Sequence, residues 1–170
     1  MSTALPFAIR PERAGDEPAI GQLLDAAFAG PEEGLLVERL RANGDLVLAL
    51  VALDDDRIAG YVAWPRLWIE TPRDQYKAIA LAPLAVDPAQ QRSGIGSALV
   101  NEGLTQLRAL GESIVFVLGD PVYYRRFGFT AEAAAGYGST YSGVHFMALA
   151  LGDTVPPHGR VRYPAAFDAG

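Results

Sequence analysis

Apolar and polar positions alternate along this chain in two distinct rhythms. Phe7 to Arg10 reads as a short strand. Ile20, Leu23, Leu24, Ala27 and Phe28 then recur three and four residues apart, the spacing of one helix face. Asp16 stands at the N-cap position of that helix with Pro18 in its first turn, and Gly30-Pro31 ends it. Pro31, Glu32 and Glu33 open a second helix, with Leu36 and Leu40 four apart and Asn43-Gly44 as its stop. From Leu46 the rhythm becomes that of strands. Leu46 to Leu53 is a continuous apolar run, Asp54 to Arg57 a turn, and Ile58 to Trp64 the returning strand. Alternation sets Ile58, Gly60, Val62 and Trp64 on one face, and Ala59, Tyr61 and Ala63 on the other.

A polar loop over Thr71 to Gln75 leads to an apolar strand, Leu81 to Val86, that holds Pro83. Ile95, Leu99, Gly103, Leu107 and Leu110 form the stripe of a long helix that Gly111 stops. Ser113 to Gly119 is a buried strand, and Asp120-Pro121 caps a short helix. Phe129 to Ala134 and Val144 to Leu151 are the last two expected strands. Hairpins need antiparallel pairs, and the one strand–helix–strand crossover needs a parallel pair. The expectation is therefore an α/β fold with a mixed, largely antiparallel sheet flanked by helices. One domain is expected over residues 1–152, with 153–170, rich in proline, as an irregular C-terminal tail packed on or near it.

Composition narrows the chemistry. The chain has 170 residues, enough for one core. It has no cysteine, so disulfides, thiolate metal sites and a cysteine-borne covalent intermediate are excluded. Its two histidines, His145 and His158, are not spaced as a ligand pair, so no metal is expected. A net charge of −6 argues against nucleic acid as a partner. Residues 1–18 lack a basic stretch followed by an apolar one, and no apolar run is long enough to span a bilayer. The expected location is cytoplasmic, with no membrane partner.

The segment Gln91-Arg92-Ser93-Gly94-Ile95-Gly96-Ser97 lies between a strand and a helix. A helix N-terminus has unpaired N–H groups and partial positive charge, and glycines let a ligand approach the backbone closely. Such a turn suits a pyrophosphate. It is also what any tight strand-to-helix turn would use. A P-loop would need a lysine after the second glycine, and Leu99 stands where a dinucleotide fingerprint needs its third glycine.

Gln91-x-x-Gly94-x-Gly96, preceded by Leu84 to Pro88 and followed by a long helix, resembles motif A of the GNAT superfamily of acetyl-CoA-dependent N-acetyltransferases. Tyr123 to Phe129 resembles that family's motif B, Y-x-x-x-G-F, with Tyr124, Gly128 and Phe129 in the matching places. Leu118 to Phe129 as a whole, with Phe146 to Leu151 and Val161 to Phe167, is similar to a bacterial subfamily of unassigned substrate. The resemblance implies a GNAT-like sheet with a β-bulge and splayed central strands. It implies acetyl-CoA as co-substrate, with the amides of Arg92, Ser93, Gly94, Ile95, Gly96 and Ser97, beside Gln91, on the pyrophosphate. It further implies Leu84, Ala85 and Val86 on the pantetheine arm, and Tyr124 facing the thioester sulfur as general acid. A homodimer is common in such families.

Pro83 fits that picture. Proline cannot donate to a ladder, so it belongs at a bulge, an edge or a strand start. In the resembled family a bulge on this strand parts it from the next, here Ile114 to Leu118, and so leaves free backbone groups for an extended ligand. An N–H near Leu84 or Ala85 would then also serve as an oxyanion donor. The alternative is that Pro83 only starts a strand.

Amide formation also needs a base. In several family members a glutamate stands about where Ala80 lies here, and Ala78 to Val86 has no ionisable side chain. Glu70, or Asp74, acting through water is the expected base, the alternative being an amine that arrives neutral, and both also read as solvated loop carboxylates. Trp68 and Tyr76 are the expected acceptor-pocket aromatics, while Trp64 reads as core. The glycine- and serine-rich segment 135–143 reads as a rim over that pocket. The expected function is transfer of an acetyl group to a primary amine, of a small molecule, peptide or protein, by direct attack in a ternary complex. The rival is a non-catalytic acyl-CoA-binding module.

Overall fold

The computed structural model describes residues 7–168; the first six residues of the N-terminal segment and the last two of the tail lie outside the described residues. The chain runs β1 (Ala8–Pro11), α1 (Glu17–Phe28), α2 (Glu32–Ala42), β2 (Leu46–Asp54), β3 (Arg57–Glu70), β4 (Gln75–Leu81), β5 (Leu84–Val86), α3 (Ile95–Ala109), β6 (Ile114–Leu118), α4 (Pro121–Tyr124), α5 (Ala131–Ala134), β7 (Tyr137–Gly138), β8 (Phe146–Ala150) and β9 (Gly159–Arg162). The main sheet order is β1-β2-β3-β4-β6-β8, with β5 also on β3. Only the β4–β6 step on this path is parallel, so the mixed, largely antiparallel sheet is as expected.

Alternation along β3 divides the core. Val62 and Trp64 point to α3, where they meet Leu99 and Leu107. Tyr61 and Ala63 point to α1 and α2, where they meet Leu24 and Val37. Burying one such leucine stabilises the fold by about 1.5–3 kcal/mol. Two glycines let α3 lie close: a Cβ on Gly60 would come 2.6 Å from Ile95 Cγ2, and one on Gly103 would strike the Trp64 ring. That close seat fixes the N-terminus of α3 beside β5.

Pro83 marks a real irregularity. Ile79 pairs with Arg66, and Leu84 pairs with Val62. Five steps from 79 to 84 thus oppose four from 62 to 66, the one-residue excess of a β-bulge. Before it, β4 pairs with β3 and, through Leu81, with β6. After it, β5 keeps β3 and has no partner on its other edge among the described residues. The central strands therefore splay. Pro65 falls between the β4 and β5 ladders on β3, where a missing N–H does no harm.

Other expectations need correction. β3 does not stop at Trp64 but continues to Glu70, because β4 and β9 take over as partners. A register shift between Ala52 and Leu53 turns Ile58 to the α1 side, away from Val62. Residues 131–134 form a helical turn, not a strand. Alanine and glutamate favour helix there, and the Thr130 hydroxyl accepts from Ala133 N–H as a cap. The tail is not irregular throughout, since β9 pairs with β3 and β7. Asp16 holds the N-cap position of α1 but makes no cap; its carboxylate takes the Arg10 guanidinium at 2.7 Å.

Candidate functional site

The splay opens onto a groove of about 600 Å³, lined by Leu84 and Val86, by Gln91, Arg92 and Gly94 to Ser97, and by Tyr123 and Arg126. β5 forms one wall, the N-terminus of α3 the floor, and α4 with its following turn the other wall.

The ladder register says which backbone groups face this groove. Ala63 N–H donates to Pro83 O, and Asp87 N–H donates to Ala59 O. Strand backbones alternate in the sheet plane, so Ala85 also faces β3, while Leu84 and Val86 present N–H and C=O to the open edge. Ala85 is thereby corrected as a contact residue. Its backbone belongs to β3, and its side chain is buried against α1. Of the two suggested oxyanion donors, Leu84 is the one with an available N–H.

The turn is built as the motif requires. Pro88 to Gln90 make a 3-10 turn capped by Asp87, whose carboxylate accepts from Ala89 N–H. That bond, then Arg57, holds the Asp87 carboxyl below its ordinary range. Arg92 and Gly94 have φ of 68° and 90°, and α3 starts at Ile95. Among the described residues, no protein acceptor takes the backbone N–H of any residue from Gln91 to Ser97. Those donors converge at the positive end of a long helix. A Cβ on Gly96 would lie 3.0 Å from the Tyr123 hydroxyl and 3.6 Å from Val86, so its absence keeps the groove open. The donor set suits an anion followed by an extended amide-bearing arm, which is the shape of a phosphopantetheine ligand.

Across the groove stands Tyr123; Tyr124, its neighbour, is not among the lining residues and packs against the core behind it. The Tyr124 ring lies over Gly119, just past the end of the β4–β6 ladder, and a Cβ there would come 2.5 Å from it. Burial, then the neighbouring Tyr123, pushes the Tyr124 phenol up to about 12. Tyr123 touches Phe127, with ring centroids 5.3 Å apart, as its i, i+4 spacing suggests. It is nonetheless a groove residue, because its hydroxyl lies 3.5 Å from Ser97 Oγ. Sequence reading missed this role, and missed Arg126, which borders the same groove. Their signal was the motif-B spacing itself, which puts Tyr123 and Arg126 one turn apart.

The expected base is not brought here. Glu70 ends β3 and pairs with Arg162, ~26 Å along the strand from Val62 at ~3.3 Å per residue. Asp74 lies in the β3–β4 turn beside it. Trp68 and Tyr76 sit on that same hairpin arm and do not line the groove. Trp64 is core, as expected. Asp120 caps α4 through Val122 N–H, and the His145 ring reaches Gly119 O at 3.2 Å. No group of metal-binding side chains occurs among the described residues, and none of their helices is long and apolar enough to cross a membrane. A larger cavity, of about 930 Å³, lies between α1 and the β2–β3 turn. Three of its five carboxylates, Asp16, Asp87 and Asp54, are engaged by Arg10, Arg57 and Gln90, and its acidic lining repels an anion.

The comparisons agree with this geometry. The family model for the acetyltransferase (GNAT) domain matches residues 8–131. The chain is 40% identical over 126 residues to the uncharacterized N-acetyltransferase YhbS of Escherichia coli, covering 74% of each. It is 33% identical over 129 residues to YjhQ, another uncharacterized N-acetyltransferase of E. coli, covering 74% of this chain and 71% of that one. The crystal structure of E. coli YhbS in complex with CoA superposes with a TM-score of 0.87 at 34% identity, covering 99% of this chain and 95% of that one. A GNAT acetyltransferase of Brucella melitensis in complex with acetyl-CoA gives 0.81 at 38% identity, covering 95% and 98%. The splayed sheet, the glycine turn and these likenesses have one explanation: this chain belongs to the GNAT family of acetyltransferases.

Proposed function

We propose that the chain transfers the acetyl group of acetyl-CoA to a primary amine by direct attack within a ternary complex. The carrying observation is the run of unaccepted N–H donors from Gln91 to Ser97 beside the free edge of β5. The turn amides with Arg92 hold the pyrophosphate, and Leu84 and Val86 hydrogen-bond the pantetheine amides as a neighbouring strand would. This sets the thioester near the bulge, with Leu84 N–H as the donor toward its carbonyl oxygen.

The neutral amine nitrogen attacks the thioester carbonyl carbon, the C–S bond breaks, and sulfur leaves with the electron pair. Tyr124 is the group assigned to that sulfur. Burial holds the Tyr124 phenol well above an ordinary thiol, so outright transfer of its proton to the sulfur is uphill. Tyr124 therefore acts by donating a hydrogen bond to the departing thiolate, and the proton lost by the amine supplies the net balance. β4 offers no carboxylate near the bulge: Ala78 and Ala80 are buried among apolar neighbours. The amine thus enters neutral, or loses its proton through water.

Thermal unfolding and a thiol-release assay over a panel of amines test this reading. Acetyl-CoA at a hundred times its Kd stabilises the fold by about 2.7 kcal/mol, and adenine nucleotides without pantetheine do so less. No shift with any CoA species sinks the binding claim. A shift with no thiol released from any amine leaves the binding module.

A further inference from the structure

We infer that Arg126 is the residue by which this protein distinguishes CoA from CoA lacking its 3′-phosphate. The inference rests on the CoA reading of the groove and adds a subsite to it. The turn amides and Arg92 sit together at the start of α3 and account for one anionic group, the pyrophosphate. Arg126 stands on the opposite wall, after α4, as the second guanidinium of the groove lining. It has no carboxylate partner among the described residues; its guanidinium carbon lies 5.4 Å from the centroid of the Tyr123 ring and 5.9 Å from that of Phe127.

The guanidinium lies beside both rings on an exposed residue, which leaves N–H donors open to solvent. Contact with the rings also limits the side chain's freedom before a ligand arrives, so less ordering is lost on binding. A planar fork held in this way is suited to a phosphate monoester, to which it donates two parallel hydrogen bonds. The rest of the molecule does not attract such a group, since the net charge is −6. The two cations of the groove thus divide three phosphoryl groups between them: Arg92 serves the linked pair, and Arg126 the separate one. Tyr123 links the subsites, carrying Arg126 on its face and reaching Ser97 with its hydroxyl.

Isothermal titration of the full chain with CoA and with 3′-dephospho-CoA, at one fixed ionic strength, tests this. The wild type binds CoA at least about tenfold more tightly, the size expected of a charge-assisted fork. Arg126→Gln brings the two ligands to within about twofold by weakening CoA alone, and its unchanged affinity for dephospho-CoA shows that the groove is intact. Arg126→Lys, which keeps the charge but not the fork or the stacking, recovers part of the preference. A wild type without preference overturns the inference before any variant is made. Equal weakening of both ligands by Arg126→Gln, with Arg126→Lys no better, overturns it too. A wild type that binds neither ligand instead overturns the CoA reading of the groove.

Discussion

The Tyr123 hydroxyl and Ser97 Oγ lie 3.5 Å apart across the groove, joining α4 to the first turn of α3. The same hydroxyl stands 3.0 Å from where a Gly96 Cβ would be. The width of the groove at this point is therefore set by one side chain and by the lack of another.

Gly96→Ala separates fold from binding. Gly96 sits in the first turn of α3, where alanine is the better helix former by about 1 kcal/mol. The variant is expected to melt no lower than the wild type while binding CoA at least about tenfold more weakly, because the added methyl enters the groove. Unchanged affinity by titration would mean that the ligand does not pass Gly96.

Tyr124→Phe is expected to lower kcat by about ten- to a hundredfold with little change in CoA affinity, the mark of a group that acts on the departing sulfur. Tyr123→Phe loses only the hydroxyl contact with Ser97 and is expected to change kcat by less than about threefold. Steady-state kinetics of the pair decide the assignment, and the reverse pattern would make Tyr123 the hydrogen-bond donor to the sulfur. Because burial holds the Tyr124 phenol at about 12, its ionisation adds no descending limb to the kcat profile below about pH 10.

Glu70→Gln is expected to leave kcat and its pH profile within about twofold of the wild type. Its carboxylate is held by Arg162 at the far end of β3, so no amine at the bulge can reach it. A loss of tenfold or more, with the acid limb of the profile removed, would restore Glu70 as the base.

Asp16 carries a stability prediction. The Arg10 hydrogen bonds lower its pKa against the opposing effect of burial. A depressed folded pKa means that the pair's stabilisation is present above the unfolded value, ordinarily 3.8, and is lost as pH falls through the folded one. Asp16→Asn should cost about 1–3 kcal/mol at neutral pH, since it leaves Arg10 without its partner. Denaturant titrations should show that cost shrinking below about pH 4. A cost independent of pH would assign it to packing instead.

Local rules made much of this legible. The periods of α1 and α3 came from burial of one face, and the unbroken apolar run of β2 from burial of both, which the residue pattern records directly. Pro83 disclosed the bulge because a missing N–H has few tolerated places in a sheet. What escaped depended on partners far along the chain. The extension of β3 to Glu70 required β9, and α5 won over a strand because the Thr130 cap closes a turn that alternation alone had masked. Tyr123 was hidden for a subtler reason. Its ring packs against Phe127 as a core residue would, while its hydroxyl serves the groove, and helix spacing reports only the first. The missing base is different again. β4 is silent at Ala78 and Ala80 in both sequence and structure, which is why the proposed mechanism leaves proton removal to the acceptor or to water.

The unaccepted donors from Gln91 to Ser97 also bear on how this protein can vary. Recognition through main-chain N–H groups does not depend on which side chains the turn carries, so most substitutions there leave the donors in place. Backbone geometry resists change at Arg92 and Gly94, whose φ of 68° and 90° disfavour most side chains, and space resists it at Gly96, which a side chain would fill. On the proposed reading, a donor site held by backbone leaves the acceptor side free to change without loss of the acetyl carrier.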